Sequence, residues 1–91
     1  MRRLYRHKQF KKDFAKVRLS DPHMEKLFLY VGSLLEEKSL PHESRDHALT
    51  GEWSDFREFH LGGDVLVIYK LEQSSICLSR IGSHAQLFKA M

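Results

Sequence analysis

The sequence predicts an α+β domain of order β-α-α-β-β-β, closed by a short C-terminal helix or turn. Three observations carry that reading. Residues 8–38 hold two stretches whose apolar side chains recur with helical spacing. From about residue 54 the pattern changes to alternation, the period of a strand. Between two alternating stretches stand Gly62 and Gly63, the signature of a tight hairpin.

The segment "RRLYR" reads as a short first strand. In "KQFKKDFAKV", Phe10, Phe14 and Val17 share one helical face and lysines occupy the other. "LSDPH" ends that helix, and Asp21 is placed to cap the next, with Pro22 at its first position. Met24, Leu27, Phe28, Val31, Leu34 and Leu35 then form an apolar stripe, expected to be core, on a helix running to about Lys38. "SDFREFHL" and "DVLVIYKL" flank the glycine pair, "EQSS" turns the chain again, and "SICLSRI" is the last strand. Alternation puts Phe56, Glu58 and His60 on one face, and groups Val65, Val67, Tyr69 and Leu71, and likewise Ile76, Leu78 and Arg80. Gly82 and Ser83 are expected to break the strand before "HAQLF". Helices that precede a meander pack together on one face of a mostly antiparallel sheet, which leaves the other face for function.

Ninety-one residues with no linker or repeat are read as one domain, 1–91. Charge and apolar content are those of a globular chain. No apolar run approaches the ~20 residues that span a bilayer, and no apolar segment of secretory type follows the basic start. Cys77 is the only cysteine, so an internal disulfide is excluded. These features lead to the expectation of a cytoplasmic protein. The net charge of +3 is unevenly spread. Residues 1–19 carry eight Lys and Arg against Asp13 alone, and the remainder carries seven against eleven acids. A local basic arm suits a phosphate polymer, with Lys8, Lys11, Lys12 and Lys16 as candidate nucleic-acid contacts.

Six histidines are many for this length. No H-x-x-x-H, H-E-x-x-H or Cys–His pairing is present, so the spacing predicts no metal site, and no cofactor is expected. A nucleophile elbow, a P-loop and a dinucleotide fingerprint are also missing. RNA cleavage without a metal suits the residues better. The 2′-hydroxyl is its own nucleophile, so the protein supplies a base, an acid and cations. Histidine titrates near pH ~6.5 and serves as acid or base. Arginine binds phosphate in bidentate fashion, and an aromatic ring stacks on a base. His47, His60, His84, Arg80 and Phe88 offer each of these types.

"DHALTGEWSDFREFHL", "VLVIYKL" and "RIGSHAQLF" resemble the YafQ branch of the RelE/ParE toxin superfamily. The likeness runs from about Leu4 to Phe88. It implies a toxin of a type II toxin–antitoxin system that enters the ribosomal A site, cuts mRNA without a metal ion and is neutralised by a cognate antitoxin. It assigns site roles to His47, His60, Asp64, Arg80, His84 and Phe88. The chain departs from the pattern at Val65, where relatives often carry a bulky residue, and at the Gly62–Gly63 turn. On the implied mechanism His84 is the general acid, His60 or His47 the base, Asp64 a support for one of them, Arg80 the cation at phosphorus and Phe88 the stacking platform. Trp53 is read as packing the loop after His47, and Arg57 and Glu58 as surface pairs. Two other readings fit the same residues: a non-enzymatic gyrase-inhibiting toxin of the ParE type, and an RNA-binding regulatory module.

Overall fold

The computed structural model describes residues 1–88. Its elements are β1 (Arg3–Arg6), α1 (Lys8–Lys16), α2 (Asp21–Leu35), β2 (His47–Ala48), β3 (Arg57–Gly62), β4 (Val65–Leu71), β5 (Ser75–Ser83) and α3 (His84–Phe88). The strands form one sheet in the order β1-β5-β4-β3-β2. Among the described residues only the β1–β5 pairing is parallel: the two helices carry the chain from β1 at one edge to β2 at the other, and the meander brings β5 back beside β1. Among the described residues no helix is long and apolar enough to cross a membrane.

Ser20, rather than Asp21, caps α2. Its hydroxyl accepts from the His23 amide at 3.3 Å, and the His23 ring accepts from the Ser20 amide at 3.2 Å. Asp21 is the first helical residue, where its charge favours the helix dipole. The helix ends at Leu35, three residues earlier than its pattern suggests, in a turn that holds Glu37 at φ +63°.

The main core lies between the two long helices and one face of the sheet. Phe10, Leu27, Tyr30 and Leu34 meet Phe59, Leu61, Val67, Tyr69, Ile76, Leu78 and Ile81. Phe28, expected in this core, is 69% exposed, and Tyr30 takes its place against Phe59. Phe14 is also partly outside, stacked on Phe10 at 5.8 Å. The opposite face is less open than expected. Leu66 and Ile68 form a second apolar floor, covered by Leu87 and flanked by Leu49, Trp53, Phe56 and Phe88.

Two irregularities set the site. The hairpin between β3 and β4 turns through Gly62 and Gly63, at φ +121° and +55°, a region where a Cβ is strained. A bulge in β5 pairs Ile68 with Arg80 but Tyr69 with Leu78. The extra residue reverses the parity of β5. Arg80 therefore leaves the face of Ile76 and Leu78, where strict alternation puts it, and Ile81 takes the core position. Gly82 does not end the strand: it pairs with Leu66 inside β5. Its hydrogen side chain makes room for α3, because a Cβ there would lie 2.8 Å from the Gln86 amide oxygen.

Candidate active site

Register brings the polar residues together. His47 of β2 lies opposite Glu58 of β3, Glu58 opposite Ile68, and Ile68 opposite Arg80. One step along, His60 faces Leu66, which faces Gly82. Strands are spaced ~4.8 Å apart, so these rows set polar side chains around the Leu66–Ile68 floor. The start of α3, two residues beyond Gly82, adds His84.

Glu58 is the hub, a role that alternation alone did not assign to it. It is buried, with 3% of its side chain exposed. Its Oε2 accepts from His60 Nε2 at 2.8 Å. His84 Nε2 stands 3.5 Å from the same oxygen and His47 Nε2 3.6 Å from it. One carboxylate oxygen thus faces three imidazoles, bound closely to one and within ion-pair range of two. A buried carboxylate is costly unless compensated by hydrogen bonds or charge, and here the histidines compensate it.

The three rings differ in access. The His60 side chain is 15% exposed, against 53% for His47 and 48% for His84. They form a row, with centroids 6.4 Å apart from His47 to His60 and 5.4 Å from His60 to His84. His47 Nδ1 lies 2.6 Å from the Arg45 carbonyl and donates to it, which leaves Nε2 facing the hub. Arg45 reaches that position with φ +51°. The loop around it is anchored by a network absent from the sequence reading. Arg57 binds Asp46 through Nη2 at 3.1 Å and the Tyr69 hydroxyl through Nε at 3.2 Å, and Tyr69 donates to Asp46. Burial pushes the Tyr69 hydroxyl well above its usual range, and the Asp46 bond adds to the shift. The Asp46 hydrogen bond holds Arg57 above its usual range in turn. Arg57 is therefore an anchor for the His47 loop, not a surface partner of Glu58.

At the far end of the row, His84 Nδ1 lies 3.6 Å from Asp64 Oδ1, so the exposed turn aspartate reaches the terminal histidine. Phe88, one turn on, stacks with His84 at 5.7 Å and 28°. Its other neighbour is Trp53, edge-on at 5.8 Å. Phe88 is half-buried, part wall and part platform.

Arg80 is on the same face but engaged elsewhere. Its Nε and Nη2 donate to Asp13 of α1 at 2.7 and 3.2 Å. Burial alone would raise the Asp13 carboxyl. The Arg80, Ile81 and Gln9 donors outweigh that and hold it below the ordinary value. This pair fixes the guanidinium plane and leaves three of its five N–H donors outside it. Arg80, His84 and Phe88, spaced by four in sequence, therefore do not form one cluster through Arg80: His84 and Phe88 stack, and Arg80 stands on the neighbouring strand. Lys8, Lys11, Lys12 and Lys16 are all exposed on α1.

The cluster also revises the argument from ligand spacing. Glu58, His60 and His84 each offer one ligand atom, all within 4.8 Å of one another. A carboxylate and two imidazoles suit a transition-metal ion. The set was invisible to motif spacing because it is assembled from β3 and α3.

The sheet backed by two helices is the fold of bacterial toxins of type II toxin–antitoxin systems on which the chain superposes. The family model for the YafQ toxin matches residues 2–89, and the chain belongs to that family. The mRNA interferase toxin YafQ of Escherichia coli is 35% identical over 82 residues, 88% of each chain. The E. coli DinJ–YafQ toxin–antitoxin complex contains a chain that superposes with TM-score 0.81 at 32% identity, covering 96% of this chain and 97% of that one. A copper-bound mutant toxin from Helicobacter pylori superposes with TM-score 0.83 at 35% identity, covering 97% and 100%. The α+β architecture read from the sequence is the one these structures share.

Proposed function

We propose that this chain is an endoribonuclease toxin that cuts mRNA in the ribosomal A site by attack of the 2′-hydroxyl on the adjacent phosphate. The observation that carries the reading is the row of three imidazoles on Glu58 Oε2, ending in a ring stacked on Phe88. Two accessible histidines flank a mostly covered one. His84 acts as general acid and protonates the leaving 5′-oxygen. His47 takes the 2′-hydroxyl proton through Nε2. His60, mostly buried, holds Glu58 in place between them, and Glu58 stabilises positive charge on whichever ring carries the proton. Asp64 orients His84. Arg80, its plane set by Asp13, meets the charge gathering on the phosphoryl oxygens, and Phe88 stacks on a base. The lysines of α1 contact ribosomal RNA.

The mRNA interferase name of the E. coli relative and the DinJ–YafQ complex support this reading, and supply its regulator: a cognate antitoxin that binds the toxin. Its site of action is the cytoplasm, where ribosomes translate. A transition-metal ion, such as the copper named for the Helicobacter relative, would find ligands in Glu58, His60 and His84. It would withdraw two imidazoles from proton transfer, so on this reading bound copper or zinc inhibits. The test is induction in bacteria followed by mapping of mRNA ends. Cuts in register with codons, confined to translated messages, are expected. Intact messages with gyrase-dependent DNA breaks would instead select the ParE-type reading.

A further inference from the structure

Beside the histidine row, on the same face of the sheet, lies a groove of about 450 Å³, of whose lining the mechanism above uses only Arg80. That volume falls within the ~300–1,000 Å³ usual for ligand sites. Trp53 and Phe56 form one wall, and outward-facing Cys77 and Ser79 of β5 lie along its lining. Lys70 and Arg80 add cations, the first turn of α1 also lines it, and no residue lining it is acidic. The lining is mostly apolar, and its charged side chains are cations, of which Arg80 is ion-paired with Asp13 and Lys70, among the described residues, is not ion-paired. An apolar aromatic slot edged by cations is complementary to a base with its phosphate.

The groove is continuous with the site. Trp53 is edge-on to Phe56 at 5.3 Å and to Phe88 at 5.8 Å, and Phe88 stacks on His84. Trp53 therefore stands between the stacking platform and the groove and belongs to both. A strand whose base stacks on Phe88 would carry its neighbouring nucleotide over Trp53 into the slot. Arg80 borders the groove while lying in the register row of Glu58.

We infer that this groove is a base-binding subsite for the mRNA nucleotide adjacent to the one stacked on Phe88, with Trp53 and Phe56 as its aromatic wall and Lys70 and Arg80 as its phosphate contacts. The subsite rests on the nuclease reading. It makes cleavage depend on the identity of one flanking base, because a walled slot discriminates purine from pyrimidine by size.

Cys77 makes the test specific, since it lines the groove and is the chain's only cysteine. Programmed ribosomes would carry mRNA with a base tethered to an activated mixed disulfide at successive positions, so that the Cys77 thiolate displaces the small leaving thiol, and a 2′-deoxy nucleotide at the scissile position, so the strand stays uncut. Disulfide capture by Cys77 is expected to peak at one position next to the cut and to vanish in Cys77→Ser. In parallel, Ser79→Tyr would fill the slot, and Ser74→Tyr would add the same bulk at an exposed turn outside it. Loss of one stacked base should lower kcat/KM of the Ser79→Tyr protein by about tenfold and flatten its preference at that flanking position. The Ser74→Tyr protein should retain both. Capture that is equal at all positions overturns the subsite, even if Ser79→Tyr fails to fold. So does protection of Cys77 from a thiol reagent by the antitoxin but not by uncut mRNA, which would assign the groove to protein. Unmodified mRNA in the same ribosomes separates the two claims: if it is never cut, the nuclease reading fails and the subsite falls with it.

Discussion

Replacing Glu58 by glutamine tests the hub of the site without emptying it. The side chain is buried and its Oε2 stands 2.8 Å from His60, 3.5 Å from His84 and 3.6 Å from His47. Glutamine keeps the volume, and its carbonyl oxygen still accepts from His60, so the His60 donor keeps its partner. What disappears is the negative charge. A charge-assisted hydrogen bond contributes about 1.5–3 kcal/mol against ~1 for a neutral one. Folding loses part of that difference but is relieved of burying a carboxylate, so stability should move by no more than ~1 kcal/mol. The reaction is affected differently. When a ring takes up a proton in the transition state, the missing charge is no longer there to stabilise it. Two to three kcal/mol at that point, at about 1.4 per tenfold, corresponds to a rate roughly 30- to 150-fold slower. The assay is single-turnover cleavage on programmed ribosomes, paired with a melting curve. A Glu58→Gln protein that melts normally and cuts within threefold of the wild-type rate would refute the reasoning, and the cluster would then be an accident of packing.

Three further outcomes are expected. His84→Gln should keep the fold, since the ring is half exposed, and lose ~100- to 10,000-fold in cleavage rate, the usual value of general acid–base catalysis, read in the same two assays. Asp13 is held below its ordinary 3.8 in the folded chain, so its stabilisation is complete above that pH and is lost as pH falls through the lower folded value; Asp13→Asn should flatten the acid limb of a stability–pH profile below about pH 4 and leave its shape above that unchanged. Converting Lys8, Lys11, Lys12 and Lys16 together to glutamine should weaken ribosome binding and reduce its salt dependence while the melting temperature holds, because all four are exposed.

The parts of this fold legible in sequence are those encoded locally. The glycine pair marks its hairpin, and alternation puts Phe56, Glu58 and His60 on one face, as observed. What escaped was set by distant partners. Arg80 is one residue out of phase because of a bulge that pairs it with Ile68, and nothing in "SICLSRI" announces that extra residue. Its counter-ion, Asp13, lies 67 residues away, so the pairing with α1 is a product of topology alone. Glu58 looked like a surface charge because one strand cannot reveal what will stand around it. The histidines that enclose it come from β2 and α3 as well as β3. Phe28 was placed in the core by a stripe drawn one position too wide, and Tyr30, on the far side of that stripe, is the residue that meets Phe59. The resemblance to YafQ toxins supplied candidate site residues that periodicity did not, but not the carboxylate around which three of them gather.

The central claim is that the cluster promotes attack by the RNA's own 2′-hydroxyl, with histidines moving the protons. The chemistry of the cut ends tests it most directly. Messenger RNA cleaved on programmed ribosomes by the wild-type chain should end in a 2′,3′-cyclic phosphate or 3′-phosphate, with a 5′-hydroxyl on the downstream fragment. A 3′-hydroxyl facing a 5′-phosphate would mean that water attacked instead, and would contradict the account.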